Sequence, residues 1–150
     1  MLYAEDPFSA YVTIVKKFRT FEQSTSSIST TSEVGLGTII QPGVFIGHHV
    51  KIGKNCLIHA NVCIYDHTVI GDDVIIHSGS VIGSDAFYFK RRPEGYDKMV
   101  SCGRVIIGNK VEIGASCTID KGVSGDTIIG EGTKMDNQVH VGHDTVIGKN

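Results

Sequence analysis

The chain has 150 residues, of which 41% are hydrophobic and 20% charged, and a formal net charge of −2. That length suits one domain with a real core, and the charge gives no electrostatic case for nucleic acid or an anionic membrane surface. No apolar run approaches a bilayer span, and no basic segment followed by an apolar one opens the chain, so no transmembrane segment is expected.

The first predicted element is a helix. Asp6-Pro7 places an N-cap acid before a proline at the first helical position. Phe8, Tyr11, Val12, Val15 and Phe18 then recur at three- and four-residue spacing, and Lys16, Lys17 and Arg19 load the last turn, where the helix dipole favours cations. The apolar stripe needs a surface to pack on. Gln23 to Ser32 is rich in Ser and Thr, lacks periodicity, and reads as a linker.

From Val34 the pattern has a period of six. An aliphatic residue returns at Val34, Ile40, Ile46, Ile52, Ile58, Ile64, Ile70, Ile76 and Ile82, and two positions earlier stands a small or β-branched residue, from Ser32 and Thr38 to Val74 and Ser80. A helix needs a period near 3.6 and an ordinary strand needs 2, so a strict six points to a parallel β-helix. Three hexads make one triangular coil, whose inward residues stack on the coil above at about 4.8 Å. Gly, Asn and Asp at the bends suit the positive φ of a tight corner.

Residues 84–104 interrupt the repeat with a loop or hairpin that carries Phe87, Tyr88, Phe89 and Tyr96, the cationic run Lys90-Arg91-Arg92 and the turn signal Pro93-Glu94-Gly95. A loop on a rigid solenoid is a place to build a site. The basic run reads as a solvated turn, with attraction of an acidic partner as its functional alternative. Ile107, Ile113 and Ile119 resume the repeat; a four-residue insertion within Asp120 to Asp126 shifts it, and Ile129, Met135, Val141 and Ile147 continue it. The expected division is a helix and linker over residues 1–32 and a β-helix over 33–150, still mid-pattern at its last residue and so expected to be a piece of a longer chain. Four cysteines without a C-x-x-C spacing, two of them (Cys56 and Cys117) at inward positions, read as reduced packing in a cytoplasmic protein rather than a disulfide frame or zinc site.

Chemistry must come from polar residues that the repeat does not need. The densest cluster is Asp136-Asn137-Gln138-Val139-His140-Val141-Gly142-His143-Asp144. His140 and His143 flank the inward Val141 and should both face out, where an imidazole can serve as a general base. His48, His49, His59, His67 and His77 look scattered and read as surface residues.

The hexads mark the hexapeptide-repeat acyltransferases. Ile82-Gly83-Ser84-Asp85-Ala86-Phe87, Gly103 to Gly108, Ile119-Asp120-Lys121-Gly122, Gly125 to Gly130 and Asp136-Asn137-Gln138 through His143 more closely resemble the UDP-3-O-acylglucosamine N-acyltransferases of lipid A biosynthesis. The resemblance implies a mainly β fold, a left-handed parallel β-helix that trimerises. It implies transfer of a 3-hydroxyacyl group from acyl carrier protein to the 2-amino group of a UDP-glucosamine-type substrate. On matching positions His143 would be the catalytic base, with Asp136 touching the sugar or orienting the base and Asn137, Gln138 and His140 binding substrate. The thioester brings its own activation, so no cofactor and no metal is implied. The chain would begin at the tail of the family's uridine-binding domain and end before its last coils. It departs from the family at Ala86, where Gly is usual, at Asp144, where Asn is expected, and at His140, where Gln is expected. Three other readings use the same fold: a different hexapeptide acyl- or acetyltransferase, a γ-type carbonic anhydrase with His140, His143 and a third histidine on zinc, and a non-catalytic scaffold.

Overall fold

Each uninterrupted coil of this chain takes 18 residues, and all coils lay their inward side chains in three columns. The computed structural model describes residues 3–150; Met1 and Leu2 of the expected 1–32 segment lie outside the described residues. The three parallel sheets have five, six and five strands, most of them only two residues long. On face 1 the inward column runs Ile46, Ile64, Ile82, Ile119 and Val141. Face 2 carries Val34, Ile52, Ile70, Ile107, Ile129 and Ile147, and face 3 carries Ile40, Ile58, Ile76, Ile113 and Met135. The smaller residues two places earlier fill the corners: Val50, Val62, Thr68, Val74, Ser80, Val111 and Cys117 are fully buried. Buried hydroxyls in that set find carbonyls, as where Thr68 donates to Tyr65 O at 2.7 Å and Ser80 to Gly114 O at 2.7 Å.

The corners show why the period is strict. Three residues after the inward aliphatic the backbone turns to positive φ, at His49, Asn55, Asn61, His67, Asp73, Lys110, Ser116, Gln138 and Asp144 as well as at glycines such as Gly37 and Gly132. The expectation of Gly, Asn and Asp at these bends is therefore too narrow, since His, Lys, Ser and Gln adopt the same strained region. What holds them is the ladder: the amide there points along the axis to a carbonyl one coil back, His67 N to His48 O at 2.9 Å, Lys110 N to Asp72 O at 2.9 Å, Gln138 N to Ala115 O at 2.9 Å. Glycines that directly follow the aliphatic residue serve another purpose. A Cβ on Gly53 would strike the Gly71 carbonyl of the next coil, so the requirement is close approach rather than φ.

The ladder also starts earlier than the hexad count from Val34. Ile28 already bridges in parallel to Ile46, and Ile46 N donates to Ser27 O at 2.8 Å. The Ser/Thr-rich stretch thus supplies an edge of face 1 as well as a connection, because backbone pairing asks no apolar side chain of it.

Helix α1 spans Pro7–Phe18, with Asp6 as its N-cap. The 84–104 excursion forms an antiparallel hairpin, Phe89–Arg92 with Gly95–Lys98. The two elements are joined by Asp6, which accepts from Lys90 Nζ at 3.0 Å and from Arg92 Nη2, while both cations also lie over the Phe8 ring. Tyr11 donates its hydroxyl to Val123 O at 2.7 Å, fixing the helix to the second insertion. Lys90 and Arg92 are thus structural, and only Arg91 of the basic run fits the solvated turn expected of all three.

Hydrogen bonds from Ser9, Arg92 and Lys90 hold the Asp6 carboxyl well below the usual carboxylate range. Its folded value lies below its unfolded one, so its contribution is present above about pH 4 and is lost as pH falls through the folded value. Asp6→Asn should speed hydrogen exchange across Phe89–Lys98 at pH 7, and molar salt should bring the wild type toward the variant. Within the core, Ile82→Ala should cost about 2–5 kcal/mol by chemical denaturation, because Ile82 is fully buried between Ile64 and Ile119.

Candidate active site

Both insertions leave the solenoid at the same edge, the corner between faces 1 and 2, in successive coils. Ser84 to Gly103 departs there, Lys121 to Gly125 departs one coil later, and Gly142-His143-Asp144 makes the same corner one coil further on. The insertions pack on each other: Cys102 N donates to Val123 O at 2.8 Å and Gly103 N to Gly122 O at 3.1 Å, and Gly103 has no room for a Cβ beside the Gly125 carbonyl. At the root of the first insertion Asp85 takes Lys98 Nζ at 2.6 Å and Lys121 Nζ at 2.7 Å. Burial pushes the Asp85 carboxyl up, but these two ammonium groups leave it below its ordinary value. Ala86, where the resemblance leads one to expect Gly, is buried and donates its N–H to Ser101 Oγ at 3.3 Å.

His143 sits at the end of this stack, about one-third exposed. Its Nδ1 lies 2.8 Å from Asp144 Oδ2. Asp144 is itself pinned: its Oδ1 accepts from Val123 N at 3.1 Å and Gly125 N at 3.4 Å, and its own N–H donates to Thr127 Oγ1 at 3.0 Å. Burial raises the Asp144 pKa, yet the donors on His143, Val123 and Gly125 outweigh it and leave the carboxyl below its ordinary value. An ionised carboxylate only accepts, so the bonded Nδ1 carries the proton and the neutral ring offers its lone pair at Nε2. Tyr88, from the first insertion, meets the His143 ring edge-on with centroids 5.8 Å apart.

The other sequence candidates do not converge on His143 within one chain. Asp136, Asn137 and Gln138 form the corner between faces 3 and 1, one full face away. Asp136 Oδ1 accepts from Asn137 N at 2.7 Å, and Asn137 Oδ1 accepts from Ala115 N at 2.7 Å, so Asn137 caps the preceding coil. His140 lies on face 1 between the corners, pointing out, with Nδ1 2.8 Å from Thr118 Oγ1 and Nε2 3.8 Å from Asp120 Oδ2. Within one chain the carboxylate that touches His143 is that of Asp144, not Asp136.

Nor are the remaining histidines scattered. His49 stacks on His67 and His59 on His77, with centroids 5.1 Å and 4.9 Å apart, because each pair is one 18-residue coil apart at the same bend. His48 is buried, with Nδ1 2.9 Å from Ser29 Oγ. His67 lines a cavity of about 160 Å³ with Arg19, Asp66, Asp85 and Lys121. Its pKa lies below the ordinary value through burial and the nearby Arg19 and His49 charges. His77 pairs instead with Glu112 at 3.1 Å on face 3. Among the described residues no group of three or more His, Cys, Asp or Glu is placed to hold a metal ion, and no helix is long and apolar enough to cross a membrane. All four cysteines are free thiols, with Cys56 and Cys117 buried as expected.

The family described as bacterial transferase hexapeptide (six repeats) matches residues 31–65 and 49–84. The chain matches that family over residues 31–84 alone, the uninterrupted hexads before the first insertion. It is 55% identical over 73 residues to the UDP-3-O-acylglucosamine N-acyltransferase of Dechloromonas aromatica, and 54% identical over 72 residues to that of Rhizobium johnstonii. These matches cover 49% and 48% of this chain but only 21% and 20% of those proteins, so the matched stretch spans about a fifth of the curated relatives. Among solved structures it is similar to a UDP-N-acetylglucosamine acyltransferase, at 31% identity and a TM-score of 0.70 over 85% of this chain and 48% of that one. The corresponding Francisella novicida enzyme aligns at 27% identity and a TM-score of 0.60, over 85% of this chain and 45% of that one. The solenoid is the left-handed parallel β-helix of these acyltransferases, as the resemblance implied.

The two oxygens of Asp144 are both acceptors, so asparagine there must lose a partner. Asp144→Asn should lower the melting temperature at pH 7. The gap should close as pH falls below about 4, because the depressed carboxyl contributes only while ionised. Melting curves of both proteins from pH 7 to pH 3 measure this.

Proposed function

We propose that the chain belongs to an N-acyltransferase that moves a 3-hydroxyacyl group from acyl carrier protein to the 2-amino group of UDP-3-O-acylglucosamine, a step of lipid A biosynthesis. The observation that carries this reading is the His143–Asp144 pair, presented at the corner where both insertions of the solenoid converge. The relatives, themselves named UDP-3-O-acylglucosamine N-acyltransferases, support the same chemistry.

The step needs one base and an activated acyl group. The 2-amino nitrogen attacks the thioester carbonyl, and the C–N bond forms as the C=O π pair moves onto oxygen. Nε2 of His143 takes the proton that the attacking nitrogen must lose, and Asp144 stabilises the resulting imidazolium through Nδ1–H. A backbone N–H holds the oxyanion. Collapse breaks the C–S bond, and the carrier's thiolate receives the proton from His143, leaving an amide and a free thiol. The carrier thioester provides the driving force, so no metal or redox cofactor enters.

Asp136, Asn137, Gln138 and His140 are assigned to substrate binding. Since Asp136 to Gln138 sit one face away from His143, a homotrimer that sets a second corner against the first is the arrangement in which they would share a substrate. Use of acyl carrier protein places the reaction in the cytoplasm.

Single-turnover transfer from 3-hydroxyacyl carrier protein to UDP-3-O-acylglucosamine tests the reading. His143→Ala should lose about 10²- to 10⁴-fold in rate while remaining folded. An unchanged rate removes the base assignment. Transfer from coenzyme A thioesters alone overturns the carrier but keeps acyl transfer, and no transfer from either donor overturns the function.

A further inference from the structure

The first insertion touches the candidate base through one side chain, and that side chain is held with unusual care. Tyr88 lies edge-on to His143, with ring centroids 5.8 Å apart and planes at 71°. Its carbonyl accepts from Met99 N at 2.9 Å, closing the hairpin directly behind it. On the near side the chain is fixed at Asp85 by Lys98 and Lys121 and at Ala86 by Ser101. On the far side the Phe89–Arg92 strand is tied to the N-cap of α1 through Asp6. Phe87 and Phe89 brace each other across Tyr88, edge to face at 5.0 Å. A loop needed only to cover the solenoid has no use for a fixed aromatic against the imidazole that Asp144 holds.

We propose that Tyr88 is a positioning residue for His143: its ring blocks rotation of the imidazole away from Asp144 and leaves Nε2 as the only open nitrogen. The inference rests on the acyl-transfer reading for its consequence, but not for its geometry. Asp144 alone anchors the imidazole at one atom, Nδ1. A ring held at one atom still swings about its side-chain torsions, and a base displaced by about 1 Å can lose about a hundredfold in rate. Tyr88 adds the second point of support from a different segment of chain, and two supports define the ring's orientation. The hydroxyl is not needed for this, whereas the ring is.

Tyr88→Ala and Tyr88→Phe, made in the whole chain, separate this from a structural role. Ring-nitrogen NMR, with the His143 signals identified by their loss in His143→Ala, should give the Nδ1–H form alone in wild type and Tyr88→Phe. Tyr88→Ala should give a mixture of both tautomers with broadened His143 signals, at an unchanged melting temperature. In single-turnover and steady-state acyl transfer, Tyr88→Ala should lose tenfold or more in kcat, with KM for both substrates within twofold of wild type. Tyr88→Phe should keep at least half of wild-type kcat. A Tyr88→Ala protein with the wild-type tautomer and kcat overturns the proposal. So does a change confined to the acceptor KM, which would make Tyr88 a substrate contact, or an equal loss in Tyr88→Phe, which would assign the effect to the hydroxyl. If wild type transfers no acyl group but Tyr88→Ala still mixes the tautomers, the positioning stands and the acyl-transfer reading alone fails.

Discussion

The solenoid depends on a hydrogen-bond ladder that carries on through its corners wherever the chain does not leave it. In an ordinary sheet the bends between strands release backbone groups to water or to side chains. Here residues three places after an inward aliphatic turn to positive φ and donate to the coil behind, His67 to His48 O and Lys110 to Asp72 O, or Asp144 to the Thr127 hydroxyl. Backbone strain at those residues is the cost of an unbroken axial ladder. The same condition makes the spacing rigid, because one residue more or less between corners would turn an isoleucine outward and a charged side chain inward.

A ladder that tight leaves few places where the chain can depart. Both departures use one corner in adjacent coils, and the second supports the first through Cys102 to Val123 and Gly103 to Gly122. A lone excursion would expose the carbonyls and amides at its root; two stacked excursions pair them. The result is a ridge along one edge of a smooth prism. The hairpin at its tip still needs support from outside the solenoid, and α1 supplies it through Asp6 and Tyr11. The apolar stripe of the helix and the cations of the hairpin thus explain each other, although neither explains itself.

The solenoid was legible in the sequence because the inward position repeats every six residues whatever the rest of the coil does. The helix was legible through Asp6-Pro7 and its spacing. The bends were harder to read. His49 with His67, and His59 with His77, look unrelated until the coil is known to take 18 residues, after which their stacking follows from register. The start of the ladder at Ile28 was hidden by serines and threonines that carry no pattern but pair through their backbones. The basic run invited an electrostatic reading because Asp6, its partner, lies more than 80 residues away in sequence.

The candidate base illustrates the same limit most sharply. Neighbouring residues in an extended chain point to opposite sides, so His143 and Asp144 give no sequence signal of a pair. The positive φ of Asp144, 55°, folds its carboxylate back beside the imidazole, and Thr127, Val123 and Gly125 hold it there. The corner geometry that the solenoid requires for its ladder is therefore what creates the dyad. His140, on flat face 1, instead lies 2.8 Å from Thr118 Oγ1, with the Asp120 carboxylate only at 3.8 Å. At this bend left-handed backbone, converging amides and inserted chain meet, and the flat faces set how far apart two such bends must stand.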